Sequence, residues 1–462
     1  MGKPLASSLI AGLTDILDPG ALLLDPAERL GYGYDNSRRQ SLPDAVALPT
    51  TREQVLAIVR LCREHRTPVT ARGRGTNTTG ASVPVEGGLV LSFERMNRIL
   101  DIRPGDRVAV VEPGLLNGDL QLALRGHGLF WPPDPTSAPY CTVGGNLACN
   151  AGGPRAVKYG ATRDNVLALT AITGAGEMVH FGAATTKASS GYDLSRLLIG
   201  SEGTLALIVE ATLKLTPIAP RRASLRALYR DTAAAAQAVS RLMAQPVTPS
   251  MLEFMDATCV RLAREVGGVD LPDAGALLMI EADGDAAVLA TALEALKAAA
   301  QGDGCLAVEA ASDEGASEKL WAARKALSPS LRTIAPGKIN EDVVVPVSRI
   351  PQLVDGVLAI AARHSLAIVC FGHAGNGNLH VNILYDPADS DAGRRADSAL
   401  ADVFEATLAL GGQLSGEHGI GLAKRDFMAL ALDPATLEAM RAIKRIFDPD
   451  GILNPGKLLP PQ

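Results

Sequence analysis

The sequence predicts a two-domain α+β protein, and three observations carry that expectation. Short strands alternate with polar, glycine-rich loops as far as residue 216. A proline-flanked break follows at residues 217–220, and the elements beyond it run β-α-β-β-α-β. A chain of 462 residues is long enough for two or three domains. Apolar residues make up 47% and charged residues 20%, a globular balance; aromatics are only 4%, so the core must rest on Ala, Leu, Val and Ile. The formal charge of -6 provides no broad positive field, which argues against nucleic acid as a partner. Six cysteines without a CxxC pair read as reduced thiols rather than a disulfide framework. Neither a secretory signal nor an apolar run of membrane-spanning length stands out, so a cytoplasmic protein without a transmembrane segment is expected.

In chain order, residues 50–66 predict a helix. Thr50 is placed to cap it, Glu53 to complete a capping box, and Val55, Ile58, Val59 and Cys62 form one apolar face. Thr67-Pro68 ends it, and residues 69–71 read as a strand feeding a glycine loop. Strands are expected at 89–93 and 108–112 and a short helix at 117–126. A hairpin should join 166–173 to 177–181 across Gly174-Ala175-Gly176, with another strand at 205–215. Past the break, strands at 224–229, 251–255, 276–281 and 305–310 and helices at 232–244 and 286–300 give the split order of a ferredoxin-like layer. Residues 366–371 and 379–384 read as two more strands, folded together by Gly375-Asn376-Gly377.

Three glycine loops carry chemistry. Residues 71–84, ARGRGTNTTGASVP, set Gly73, Gly75 and Gly80 among Thr76, Asn77, Thr78 and Thr79. Inward-turned N–H groups and hydroxyls of this kind suit a pyrophosphate, although GxGxxxxG is not the GxGxxG of a Rossmann turn. By itself the loop is equally well read as a connector. Residues 132–163 add Gly144-Gly145-Asn146, Asn150-Ala151-Gly152-Gly153 and Lys158-Tyr159-Gly160, and Gly200-Ser201-Glu202-Gly203-Thr204 opens a strand. One long ligand with a central diphosphate would explain all three.

These loops resemble the FAD-binding domain of the vanillyl-alcohol oxidase and p-cresol methylhydroxylase (PCMH) superfamily. Within it, the chain is similar to the branch of D-lactate, glycolate and D-2-hydroxyglutarate dehydrogenases, from about Leu42 to Lys457 with the motifs in order. The resemblance implies a two-domain flavoprotein: a PCMH-type FAD-binding domain over 1–218 with its core from about 42, a ferredoxin-like α+β cap domain over 219–415, and a segment, 416–462, that returns to the first domain. It implies FAD contacts from Arg72, Gly73, Gly75, Thr76 and Asn77 around the pyrophosphate. Thr142, Gly145, Asn146, Gly152, Gly153 and Gly160 match the second segment, Glu202, Gly203 and Ile208 the third, and Asn454 of the Asn-Pro-Gly-Lys tail lies by the flavin. Arg74 stands where many relatives carry glycine. The first loop has no histidine, which the histidine-linked members often carry there, so FAD is expected to be non-covalent.

Seven histidines occur, and three fall in two short motifs: His373 and His380 in FGHAGNGNLHVN, and His418 beside Glu417 in SGEHGIGLAKR. Two imidazoles and a carboxylate make a frequent catalytic metal set, for which zinc fits best with manganese as the alternative. Lone histidines are more often structural, the reading kept for His65, His127, His180 and His364. The resemblance agrees with the cluster, placing metal ligands at His373, His380 and Glu417 and a general base at His418. The implied reaction is oxidation of a small D-2-hydroxy acid to the 2-oxo acid. The metal acidifies the hydroxyl, His418 takes its proton, and hydride passes to flavin N5. Arg324 matches the family's substrate arginine, against a solvent-exposed helix arginine; Lys338 and Asn382 are further substrate-binding candidates.

The expected partners are the anionic substrate and an electron acceptor, with quinone, cytochrome, electron-transfer flavoprotein and oxygen all open. A second copy of the chain in a homodimer, and peripheral attachment to the inner face of a membrane, are also left open. Two rival functions remain. One is an FAD-bearing subunit of a larger glycolate-oxidase-type complex; the other is a metal-free carbohydrate or alditol oxidase, which would leave the histidine cluster without a purpose.

Overall fold

The computed structural model describes residues 5–311 and 314–461. The chain divides into two compact units: Met1–Gly152, Gly160–Ile218 and Glu417–Gln462 form one, Gly153–Tyr159 and Ala219–Gly416 the other.

Two larger sheets build the first unit, with a two-stranded pair, Leu129–Phe130 against Thr216–Pro217. In one, Val69–Arg72 and Ala45–Ala47 flank Leu89–Ser92 in parallel, and Leu22–Leu23 adds an antiparallel edge. All of Leu89–Ser92 is buried, as a central parallel strand covered on both faces should be. Helices Ser7–Ile16 and Arg52–Glu64 contribute Leu9, Leu13, Val55, Ile58, Val59 and Cys62 to its core. The cap of the second helix falls one residue later than the sequence suggested. Thr51 Oγ1 accepts from Gln54 N at 3.2 Å, while Gln54 Oε1 accepts from Thr50 N, so Gln54 takes the place expected of Glu53. The other sheet is antiparallel, in the order Ile99–Arg103, Val108–Val111, Ala206–Lys214, Val166–Thr173, Met178–Gly182. Trp131 is fully buried in its core, and its indole N–H is satisfied by Asn165 O at 2.9 Å.

The C-terminal tail completes the first sheet. Leu453 bridges Val69 in parallel; Val69 N donates to Ile452 O and Asn454 N to Val69 O, both at 2.8 Å. A free strand edge is thereby covered by the last residues of the chain.

The second unit is one seven-stranded antiparallel sheet. Its first four strands lie in the order Cys305–Ala310, Arg221–Tyr229, Ala276–Gly284, Met251–Asp256. That is fourth, first, third, second, the arrangement expected of the split β-α-β layer. The sheet then continues through Ala367–His373, Asn378–Tyr385 and Gly337–Val344. The expected strand pair is therefore an extension of the layer. Strand Gly337–Val344 escaped the sequence reading because Asn340 and Asp342 interrupt its apolar pattern. Helix Ala257–Glu265 was also unforeseen; with Leu327 and Leu331 it covers the sheet face carrying Met255, Met279, Val369 and Phe371.

The short segment Gly153–Tyr159 belongs with this unit although its sequence sits within the second glycine-rich stretch. Tyr159 Oη donates to Asp283 Oδ2 at 2.6 Å, and Lys158 forms an ion pair with the same carboxylate. All six cysteines are free.

Candidate active site

The glycine loops of the first unit are bound to one another by side chains. Strand Val69–Arg72 opens into the first loop, where Gly75 has φ +66° and an added Cβ would come within 2.4 Å of Arg72 Nη2. Arg72 is buried; its guanidinium donates to Tyr34 O at 2.6 Å and Gly31 O at 3.0 Å, so it braces the loop from beneath. Gly73 lies against Thr142, with no room for a side chain beside Oγ1. Thr76 is half-buried and Arg74 exposed.

Residues 143–149, read from sequence as part of a loop, form the helix Val143–Cys149. Thr142 caps it by accepting from Gly145 N at 3.1 Å, and buried Asn146 Oδ1 accepts from Asn117 Nδ2 at 3.0 Å. Gly144 is small because Pro113 packs 2.6 Å from where its Cβ would stand. Gly152 ends the first block of this unit, while Gly153 belongs to the segment that joins the second. Gly160 resumes the first unit with φ +79°. In the third loop Glu202 and Gly203 both have positive φ, and Ile208 is buried in the antiparallel-sheet core on the following strand.

What these loops hold is the segment bearing Glu417 and His418. Asn77 Nδ2 donates to His418 O at 2.9 Å, and Thr79 O accepts from Leu422 N and Ala423 N. The Glu202 carboxylate accepts from Ile420 N at 2.5 Å and Gly421 N at 2.8 Å. Asn454 Nδ2 donates to Ala81 O at 2.9 Å and Glu202 O at 2.7 Å, and Lys457 Nζ donates to Asn454 Oδ1. Lys424, fully buried, and Lys457 were not anticipated; each is a charged residue in a glycine-rich stretch, which reads as surface in a sequence.

Burial pushes the Glu202 carboxyl up from an ordinary 4.5 to about 6, against the two N–H groups and the lysines that favour its charge. Burial likewise lowers Lys457 to about 8. Between pH 4.5 and 6 the unfolded chain loses the Glu202 proton before the folded one does. Glu202 therefore costs stability increasingly across that window, and nothing below it. Glu202→Gln cannot titrate, so the wild-type unfolding free energy relative to the variant should fall by about 1.3 kcal/mol from pH 4.5 to 6, and by about 2 kcal/mol over the whole range from pH 3.5 to 7. A difference that stays flat across those pH values would contradict the assignment.

In the second unit, strand register builds a polar row. His373 pairs with Asn378, Phe371 with His380, Val369 with Asn382; on the next strand Asp342 faces His380 and Asn340 faces Asn382. Side chains alternate between faces, so Asn378, His380, Asn382, Asn340, Asp342 and His373 share one face. The His373 and His380 rings stand edge to face with centroids 5.2 Å apart. Asp342 fixes the chain that follows: Ser415 Oγ donates to its carboxylate, and Gly416 N donates to its Oδ2 at 2.9 Å. Glu417 is the next residue. The donor atoms of His373, His380 and Glu417 lie within 4.8 Å of one another. Two imidazoles and a carboxylate so grouped are a donor set that suits a borderline divalent ion such as zinc.

Glu253, absent from the sequence reading, lies behind His373. It is 1% exposed; Oε1 meets His373 Nδ1 at 2.5 Å and Oε2 meets Arg324 Nη2 at 2.6 Å. Burial pushes its carboxyl up, but the Arg324 charge and the hydrogen bond with His373 outweigh that and hold it below its ordinary value. Arg324 is thus no exposed helix arginine: it is buried, with its guanidinium 4.5 Å over the Phe371 ring. Lys338 donates to Ser328 O and Oγ. Asn382 is wholly buried, its amide donating to Val369 O and His380 O. Of the other histidines, His364 pairs with Asp402 and His180 with Thr170.

Comparison with known proteins gives the class. Residues 43–182 match the family model of an FAD binding domain, and residues 218–458 match that of the C-terminal domain of FAD linked oxidases. The chain belongs to the FAD-linked oxidases and is a flavin-dependent oxidoreductase. It is similar to the glycolate oxidase subunit GlcD of Bacillus subtilis (strain 168), 40% identical over 434 residues, 94% of this chain and 92% of that one. D-lactate dehydrogenase of Anaerostipes hadrus is 36% identical across 90% of this chain and 89% of its own. D-2-hydroxyglutarate dehydrogenase of Stutzerimonas stutzeri (strain A1501) is 34% identical, covering 98% of each. The fold is that of p-cresol methylhydroxylase, with a TM-score of 0.83 at 16% identity over 100% of this chain and 99% of that one. Among the described residues, no helix is long and apolar enough to cross a membrane.

Proposed function

We propose that the protein oxidises a small D-2-hydroxy acid, of the glycolate or D-lactate kind, to the 2-oxo acid. The observation that carries this reading is the trio His373, His380 and Glu417, with donor atoms within 4.8 Å, in a chain whose residues 43–182 match an FAD binding domain. Three relatives named for glycolate, D-lactate and D-2-hydroxyglutarate support the substrate class.

When bound, FAD accepts the hydride and a divalent ion lowers the pKa of the substrate hydroxyl. His373, His380 and Glu417 would hold that ion. FAD would be held non-covalently by the loops that contain Gly73, Gly75, Thr76 and Asn77, by the helix capped by Thr142, and by the Glu202-Gly203 turn. His418 would take the hydroxyl proton as general base while the Cα hydrogen leaves as hydride; the proton then passes to solvent. Arg324 would offer the substrate carboxylate a cation, sharing it with Glu253. A second reading is that the chain is one subunit of a larger oxidase, favoured by the word subunit in the name of the Bacillus subtilis relative.

The test is anaerobic bleaching of the flavin's long-wavelength absorbance by a panel of D- and L-2-hydroxy acids. Bleaching by glycolate, which has no enantiomer, or by one D-acid and not its L-form is expected. If no acid in the panel bleaches the flavin, the reading fails in favour of a carbohydrate oxidase. Bleaching without reoxidation by oxygen, quinone or cytochrome would favour the subunit reading.

A further inference from the structure

We propose that Glu253 is a positioning residue that fixes the tautomer of His373 and ties it to Arg324, so that metal affinity depends on this carboxylate. The inference rests on the metal-site reading above. A neutral imidazole carries its single N–H on either nitrogen, and only the bare nitrogen can bind a metal. Nδ1 of His373 lies 2.5 Å from Glu253 Oε1, and an anionic carboxylate can only accept there. The proton is therefore held on Nδ1, and Nε2 keeps its lone pair for an ion.

The position of the carboxylate follows from the sheet. Met255 pairs with Phe371 and Phe254 with Gly372, which brings Glu253, two residues before Met255, to the same face beside His373. A carboxylate at a fully buried strand position is expensive unless it is paired. Both of its oxygens are engaged, Oε2 with Arg324 at 2.6 Å, and Arg324 is in turn fixed over Phe371. Phe371 also lies against His380, with centroids 5.6 Å apart. Arg324, Glu253 and His373 thus form one chain of contacts from the arginine offered to the substrate to an imidazole offered to the metal.

The experiment uses the full-length, FAD-loaded protein stripped of metal. Selective 15N labelling of histidine should show His373 with its proton on Nδ1, the reverse of the ordinary preference of a free histidine side chain for Nε2; this needs no variant. Zinc titration by calorimetry should then give one site in the wild type and none in His373→Ala. In Glu253→Gln, which keeps the side-chain volume, and in Glu253→Ala the affinity should fall by about 10–100-fold. Should the wild type bind no zinc, the metal reading itself fails and takes the proposal with it. If the wild type binds zinc but His373 carries its proton on Nε2, or Glu253→Gln binds as tightly as the wild type, the proposal alone is overturned.

Discussion

His418→Ala should retain FAD and lose flavin reduction by a D-2-hydroxy acid by roughly 10²–10⁴-fold, the range for removing a general base. Retention follows from how the residue is held. Asn77 donates to the His418 carbonyl, and the loop beyond it hangs on Glu202 through Ile420 N and Gly421 N, so truncating the side chain leaves these backbone contacts in place. Anaerobic stopped-flow with substrate in excess reads the rate, and the flavin-to-protein absorbance ratio reads the retention. A variant reduced as fast as the wild type would remove His418 from the chemistry. A variant that emerges colourless would show instead that the His418 side chain is needed to hold the flavin.

His380→Ala should have an effect of similar or larger size by another route. His373 and His380 are the two imidazoles of the proposed ligand set and stand 5.2 Å apart, centroid to centroid. Losing one leaves two donors, too few for a stable site in competition with water. If the ion supplies several kcal/mol of charge stabilisation, flavin reduction should slow by about 10³-fold or more. Dialysis of the wild type against a chelator should reproduce that loss, and zinc or manganese should restore the wild type but not the variant. Reduction that is indifferent to the chelator would leave the cluster a structural role only.

Much of this was written locally. Glycine runs around Gly75 and Gly203 announce positive-φ turns, and histidines set between glycines at His373 and His418 announce side chains with work other than packing. The ferredoxin-like order was legible because each of its strands is an apolar run between turn signals. What escaped was set by partners far apart in the chain. Glu253 meets a histidine 120 residues on, and Asn454 meets a glutamate 252 residues back. Neither pairing has a local signature. A trace existed at MLEFMD, where Glu253 interrupts the apolar run ahead of the terminal Asp256, and Asn340 and Asp342 hid their strand in the same way. Residues placed for chemistry spoil the pattern by which strands are found. The helix Val143–Cys149 was missed for another reason: two of its seven residues are glycines, which locally argue against a helix.

The tail that pairs with Val69 has a bearing on how the protein is made. Residue 453 closes a sheet edge begun at residue 69, and the whole second unit is synthesised in between. At about 5–20 residues per second, roughly 20–80 s of translation separate the two strands. Throughout that interval the nascent chain carries an unpaired edge at Val69–Arg72, beside the loop proposed to receive the pyrophosphate. The sheet edge beside that loop is thus completed only after the second unit has been made, so stable flavin uptake is expected no earlier than the emergence of residue 453 from the ribosome.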